Sequence, residues 1–589
     1  MLFSREIVVF SIMLVCCAGT LGAAAVSFIY RRGRRSEINV TLADILVIAY
    51  LLVGVLNVAF IKKFAVDPMV YWRWLTMAFG YILLRILCGR PDADKWRNFV
   101  LYALVAVGVV QAAIAIGQCV GWIASNHRMF DVTGSFGNPG QLGGFLAVTF
   151  TAAVALAVEN TKRSKPIFTL WLTASLGILY ALKLADSRAA YLAVAGGVIL
   201  VCWPWIAQAF KKQRKIAIPV AITVGVVAAA MLFNYRPGSA NARLLVWRVS
   251  ADMMADSPVT GHGVGAFNEK YMLYQAEYFQ SHSDSRFVMV ADNVAYPYNE
   301  FLHMLVEQGI IGLMVLLALL GAVLLPRNEN WQQRGMKSAL VALLIFSMFS
   351  YPSYVFPLLF LFAILIGSLD SKPVMTIRWP RWTPVVKSVA VIAFGVISIQ
   401  QIGFYREASR QVRQLFRKEN AEAIGFVDDN YGRLRHNLTF NGIYASYLAE
   451  HADEPGNLEL LLDRLPSCET WCDIGNAYVA RARSVSVGVE EANFRNENAS
   501  VHRATASSCE APASFDEDFT QAEEYYRTAA AMIPTRLMPN YLLWKLYLEK
   551  GDIHAAESVA RQMLAQPLKV ENTFTIRAKT EVKRWLCRF

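Results

Sequence analysis

Residues 296–313 read YPYNEFLHMLVEQGIIGL, and within this stretch a polar turn gives way to membrane-grade hydrophobicity. Asn299, His303 and Glu307 stand at i, i+4 and i+8 and so share one face of the helix that this pattern predicts. Asn299 is the natural N-cap, and the free amides of that first turn present partial positive charge to an anion. Upstream, from Asn234, lies a long polar stretch carrying RLLVW from Arg243 and the turn-rich SPVTGHGVGAF from Ser257. Together Asn234 to Leu313 read as the extracytoplasmic half of an active site.

The rest of the chain supplies the setting. Of 589 residues, 55% are hydrophobic and 17% charged, too apolar for an average soluble protein and too charged for a bare membrane bundle. A polytopic membrane domain with a soluble appendage satisfies both facts. The net charge of +12 is spread over short basic clusters between apolar segments, where it sets topology and meets anionic head groups, so no nucleic-acid partner is expected.

Apolar segments at 7–30, 39–61, 68–88, 97–122, 140–158, 166–184, 189–210, 216–234, 299–325, 337–351, 353–369 and 384–402 predict about twelve spans. The first is followed by Arg31, Arg32, Arg34 and Arg35, the wrong flank for a cleaved signal, and reads as a retained helix. Tyr351-Pro352-Ser353 breaks the run from Lys337 to Asp370 into two short helices joined by a tight outer turn. The basic stretches at Arg31, Arg90–Arg97, Thr161, Lys211, Arg327–Lys337 and Lys372–Lys387 fall on alternate connections, as cytoplasmic loops should. The N-terminus, the loop from Asp131, the turn from Ala185, the long loop 235–298 and the tail are thereby expected on the outer face. In a bacterium that is the periplasmic side of the inner membrane. The expected fold is all-α: a transmembrane domain over 1–402 and a soluble helical domain over 403–589.

Three arginines on that outer face are candidates for anion binding. Arg188 lies at the mouth of a span, where a charge faces a cavity or partner unless it snorkels to lipid phosphate. Arg243 offers a bidentate guanidinium for phosphate oxygens, and Arg248, five residues on, is equally read as a solvated helix face. Asn138, in the glycine-rich turn from Asp131, is a candidate substrate contact or simply part of a tight turn. Glu307 is a second candidate substrate contact, and Tyr298, Asn299, Glu300 and His303 are the candidate catalytic residues. GHGVGAF lacks a preceding strand and is not read as a nucleotide loop. No metal site and no cofactor are expected.

In the tail, WCDIGNAY from Trp471 resembles the first helix of a tetratricopeptide repeat, and Ala522 and Ala556 stand one repeat length apart. Repeats are expected over 471–566, interrupted by an insert at about 484–519, and their concave face is a candidate site for a periplasmic protein. Cys468, Cys472, Cys509 and Cys587 permit three complete pairings that sequence does not choose between.

Five motifs in order, GSFGNPGQLGGFLA from Gly134, DSRAAYLA from Asp186, Arg243 with Trp247, P-x-x-G-x-G from Pro258 and N-x-x-L-x-x-x-x-E-x-G-x-x-G from Asn299, resemble the bacterial O-antigen ligase superfamily. That superfamily includes protein O-oligosaccharyltransferases and is related to O-antigen polymerases. The resemblance covers about residues 7–402. It implies an integral-membrane glycosyltransferase, with a glycan on undecaprenyl pyrophosphate as donor and a hydroxyl of lipid A core or protein as acceptor. Membrane lipids would surround it, and arginines would neutralise the departing pyrophosphate. Where the family usually has His before the Asn of the last motif, this chain has Tyr298, a poor base at neutral pH. Glu300, His303, His262 and His282 are the substitutes. Two alternatives stay open: a repeat-unit polymerase, and a transporter or membrane scaffold.

Overall fold

The computed structural model describes residues 3–30, 37–61, 68–89, 92–127, 129–161, 163–212, 237–326, 330–378, 383–415, 421–434, 437, 440–444, 447, 467–497 and 513–588. The expected span 216–234, the arginine cluster from Arg31 and Cys509 lie outside the described residues.

The membrane part comprises α1 (Ser4–Tyr30), β1 (Glu37–Thr41), α2 (Leu42–Phe60), α3 (Pro68–Cys88), α4 (Ala93–Cys119), α5 (Pro139–Asn160), α6 (Lys165–Ala185), α7 (Arg188–Val201) and α8 (Trp203–Lys212). After α9 (Pro237–Asp256) and α10 (Ala266–Ser281) of the long loop come α11 (Glu300–Leu324), α12 (Trp331–Ser347), α13 (Phe356–Ser368), β2 (Pro373–Arg378) and α14 (Thr383–Val412). The tail is α15 (Ala421–Leu434), α16 (Cys468–Glu497), α17 (Ala513–Met532), α18 (Leu537–Lys550), α19 (Ile553–Ala565) and α20 (Thr573–Leu586). Among the described residues seven helices are long and apolar enough to cross a membrane, and α7 and α13 are shorter apolar helices. This is an all-α, multi-pass membrane protein.

Small residues set the closest helix approaches. A β-carbon on Gly143 would lie 2.6 Å from Ser187 Cβ, and one on Gly197 would lie 2.6 Å from Thr151 Oγ1. These positions bring α5 and α7 together, and Gly144 under the ring of Phe346 seats α12 against them. The result fixes the start of α7, and with it Arg188.

Three departures from the sequence reading have plain causes. The expected span 189–210 stops at Val201 and restarts at Trp203, because Pro204 cannot donate into a continuous helix. Residues 39–41, read as the beginning of a span, form the end of β1, which pairs antiparallel with β2 across the chain. In the tail, helix α16 continues to Glu497, through what reads as the start of the insert. The break at Tyr351-Pro352-Ser353 is present: α12 ends at Ser347, a single 3-10 turn covers Pro352–Tyr354, and α13 follows.

Candidate functional site

The helix opened by the quoted stretch begins as its sequence dictates. Asn299 is extended and its side-chain oxygen accepts from the amides of Phe301 at 3.0 Å and Leu302 at 3.1 Å. This satisfies two orphan donors, so Asn299 is an N-cap by construction. Just before it, Tyr298 adopts φ +53°, one of two non-glycine positive-φ residues among those described; the other is Asp186, two residues before Arg188. Such backbone is uncommon outside glycine and concentrates where a site over-determines it. Trp247 supplies part of that constraint by donating from Nε1 to the Pro297 carbonyl at 3.0 Å.

Over the Tyr298 ring lies the Arg243 guanidinium, 5.5 Å from the centroid. Burial and then the neighbouring Arg188 charge push the Arg243 pKa down. Arg243 forms no ion pair with a carboxylate among the described residues. Arg188 donates to Ser239 Oγ at 3.0 Å from the first turn of α7. Burial raises the Tyr298 phenol, outweighing the lowering by Arg243, so it stays protonated at neutral pH and is no base.

Arg248 is on another face: it is exposed and sits 3.7 Å from Asp252. Asn138 caps α5 by accepting from Gly140 N at 2.7 Å. His262 contacts the Met253 carbonyl at 2.7 Å, and His282 stacks on Tyr278.

Below Tyr298 the predicted face of α11 is a buried relay. His303 Nδ1 is 3.2 Å from Glu300 Oε2, and its Nε2 is 3.0 Å from Glu307 Oε1 and 3.2 Å from the Tyr354 hydroxyl. Glu300 Oε1 accepts from Ser353 N at 2.8 Å and Ser353 Oγ at 2.7 Å, tying the relay to the turn between α12 and α13. Tyr296 joins relay to clamp: it stacks on Tyr351 at 4.2 Å, meets Tyr354 edge-on at 4.6 Å, and accepts from Arg5 at 3.1 Å. Tyr351 also meets Tyr298, at 5.4 Å.

The relay opens on a cavity of about 630 Å³. Its lining includes the polar Arg5, Arg73, Glu300 and His303 and the apolar Leu319, Leu343 and Phe362. Several buried polar atoms on its wall have no hydrogen-bond partner among the described residues: Arg73 Nε, Asn268 Oδ1, Gln308 Oε1 and both side-chain polar atoms of Asn441. Asn441 is wholly buried. Groups so placed await a polar ligand or water.

Glycines of the Pro258 and Glu307 motifs hold this geometry. Helix α11 is interrupted at Gly309, where φ is 64° and ψ is −164°. The loop from Pro258 stitches the break: His262 N donates to Val306 O at 2.9 Å, Gly263 N to Glu307 O at 3.0 Å, and Ile310 N to Pro258 O at 2.9 Å. Asn57 of α2 completes the seam, donating to Thr260 O at 2.8 Å and Glu307 O at 3.2 Å and accepting from Val264 N at 2.9 Å. A break in a membrane helix stands only when its freed backbone groups are satisfied in this way. The GHGVG segment is therefore a backbone clamp on α11.

Sequence reading missed Arg5, Asn57, Arg73, Ser353 and Tyr354. For Asn57 and Arg73 the signal was available, since a polar side chain inside an apolar segment marks a cavity or a partner.

The comparisons agree with this architecture. Residues 173–317, which include Arg188, Arg243 and the relay, match the O-antigen ligase family profile. A Rickettsia conorii protein named "Putative polysaccharide ligase" is 24% identical over 202 residues, 33% of this chain and 46% of that protein. The match thus spans about half the length of that relative. No solved structure matches the chain. The fold is that of a multi-pass, all-α membrane protein, with Arg243 and Arg188 beside Tyr298 on its long loop and the start of α7. The stretch that carries Arg188, Arg243 and His303 is similar to the O-antigen ligase family.

Proposed function

We propose that the protein is a membrane glycosyltransferase that moves a glycan en bloc from undecaprenyl pyrophosphate to a hydroxyl of lipid A core or protein on the periplasmic face. The observation that carries this reading is the placing of Arg243 over the Tyr298 ring, with Arg188 bonded to Ser239 one helical turn before Arg243. The acceptor oxygen attacks the anomeric carbon while the carbon–oxygen bond to pyrophosphate breaks. The electron pair departs with the lipid pyrophosphate, whose added charge falls on the two guanidiniums. The hydroxyl proton passes to Glu300, which His303 and Ser353 hold in place. The cavity, lined by both polar and apolar side chains, suits an amphipathic lipid-linked substrate.

A transporter would keep a broken helix open to its substrate path. Here the break at Gly309 is closed by the protein's own loop, which favours the enzyme.

The test is glycan transfer by purified protein in detergent from an undecaprenyl-pyrophosphate donor. Lipid A core, protein and a second lipid-linked unit are supplied separately. Transfer to one of the first two, lost in Arg243→Ala, is expected. Transfer only to the lipid-linked unit makes the chain a polymerase, and no transfer from folded protein overturns the enzyme.

A further inference from the structure

The segment Ala291–Tyr298 carries Tyr296 and Tyr298 yet has no helix or strand of its own. Its hydrogen bonds must go elsewhere, and at its upstream end they go to the tail. Asp292 lies between two tail cations, 2.8 Å from Lys569 Nζ and 3.4 Å from Arg536 Nη2. Lys569 also reaches the Ala291 carbonyl at 3.3 Å. Asn293 donates to Glu469 at 2.5 Å and accepts from the Cys468 amide at 3.2 Å, while Glu469 in turn pairs with Arg536. Wholly buried Gln275 donates to Met532 O at 2.7 Å and to Asp292 O at 3.2 Å, bridging α10, α17 and the segment.

Beneath these contacts a single apolar cluster joins the two parts of the chain. Phe267, Phe279 and Phe287 of the loop pack with Cys472, Met532 and Ile533 of the tail. The tail is thus folded into the loop domain. Burial opposes ionisation of Asp292, but Lys569 prevails and holds its carboxyl below the usual value, as a working bridge requires.

We propose that the C-terminal helices are a positioning element of the site: Arg536 and Lys569, acting through Asp292, set the segment that presents Tyr296 and Tyr298. Neither cation is a catalytic residue. Asp292 is about half exposed, so one bridge alone is weak, and the effect comes from the set. The activity arm of the test rests on the glycosyltransferase reading, and the exchange arm does not.

The full-length protein in detergent is compared as wild type, Lys569→Ala/Arg536→Ala, Lys569→Arg, and Arg561→Ala as a control in an exposed tail pair with Glu557. Hydrogen–deuterium exchange is followed over 291–299 and over α18–α20. In the double variant, exchange over 291–299 should quicken while α18–α20 stay protected. Its kcat should fall roughly three- to tenfold, more than KM changes. Lys569→Arg and Arg561→Ala should behave as wild type. Unchanged exchange over 291–299 in the folded double variant overturns the proposal, as does faster exchange with unaltered kcat. If the wild type transfers no glycan, the enzyme reading falls, and the exchange arm alone decides whether the tail sets this segment.

Discussion

Replacing Gly309 by alanine tests the seam on which the site depends. Its φ of 64° with ψ of −164° is a region that only glycine enters readily, and an alanine held there is strained by about 1–3 kcal/mol. A β-carbon would also lie 2.2 Å from Val259 O and 2.6 Å from Thr260 N, and neither is the end of a flexible side chain. The loop must therefore retreat. Its bonds from His262, Gly263 and Ile310 weaken with it, each worth about 1 kcal/mol net and more where water cannot replace them. Together these give about 3–5 kcal/mol of destabilisation, or a relaxed α11 that turns Glu307 away from His303. Thermal unfolding in detergent, followed by tryptophan fluorescence, reads the first result, and glycan transfer reads the second. Gly321→Ala on the same helix is a useful companion, because its β-carbon would meet only the end of the Leu325 side chain, at 3.7 Å, and little loss is expected there. A Gly309→Ala protein with wild-type unfolding temperature and wild-type transfer would refute the account of the seam.

Three further outcomes are expected. Arg243→Lys, which keeps the charge but loses the planar fork and its place over Tyr298, should retain only a small fraction of the donor turnover, with Arg243→Ala lower still; steady-state kinetics in donor measures both. Glu300→Gln keeps an acceptor for Ser353 but cannot take a proton, so kcat should drop by about 10²–10⁴ with little change in KM; an unchanged kcat would remove Glu300 from proton transfer. Asp473 is raised to about 6 by burial first and Glu469 second. An aspartate so raised binds a proton more tightly when folded, so stability is highest below its unfolded pKa near 4 and declines as pH rises through about 6. Asp473→Asn should therefore stabilise the tail by about 1–3 kcal/mol at pH 7 and by little at pH 4, seen as a pH-dependent shift in its unfolding midpoint.

What the sequence disclosed and what it withheld divide by the range of the interaction. The N-cap at Asn299, the polar face of Asn299, His303 and Glu307, and the break at Pro352 are local, settled by capping chemistry, helical period and proline geometry within a few residues. Arg243 and Arg188 were legible as charges near apolar segments, but their convergence was not, because Gly143, Gly144 and Gly197 set the relevant helix approaches across the bundle. The glycines of the Pro258 motif were visible, yet their purpose required a partner: Gly261 is a glycine because a β-carbon there would lie 2.4 Å from the Glu307 carbonyl carbon. Tail docking was illegible for the same reason, since nothing local about Lys569 points to Asp292.

The seam also accounts for the pairing of two motifs that are separate in the chain. If the Pro258 loop were a ligand-binding loop, its amides would face an open site. They are instead spent on the carbonyls of Val306 and Glu307. With Gly309 in its unusual conformation, the N-terminal part of α11 is a short helix of its own, anchored at one end by the Asn299 cap and at the other by this loop and Asn57. His303 lies between those two anchors, with a glutamate on either side. A continuous membrane helix would have set the direction of these three side chains by its packing in the bundle. The broken one lets this loop set it, so the glycine motifs are the means by which residues distant from Tyr298 fix how His303 sits between Glu300 and Glu307.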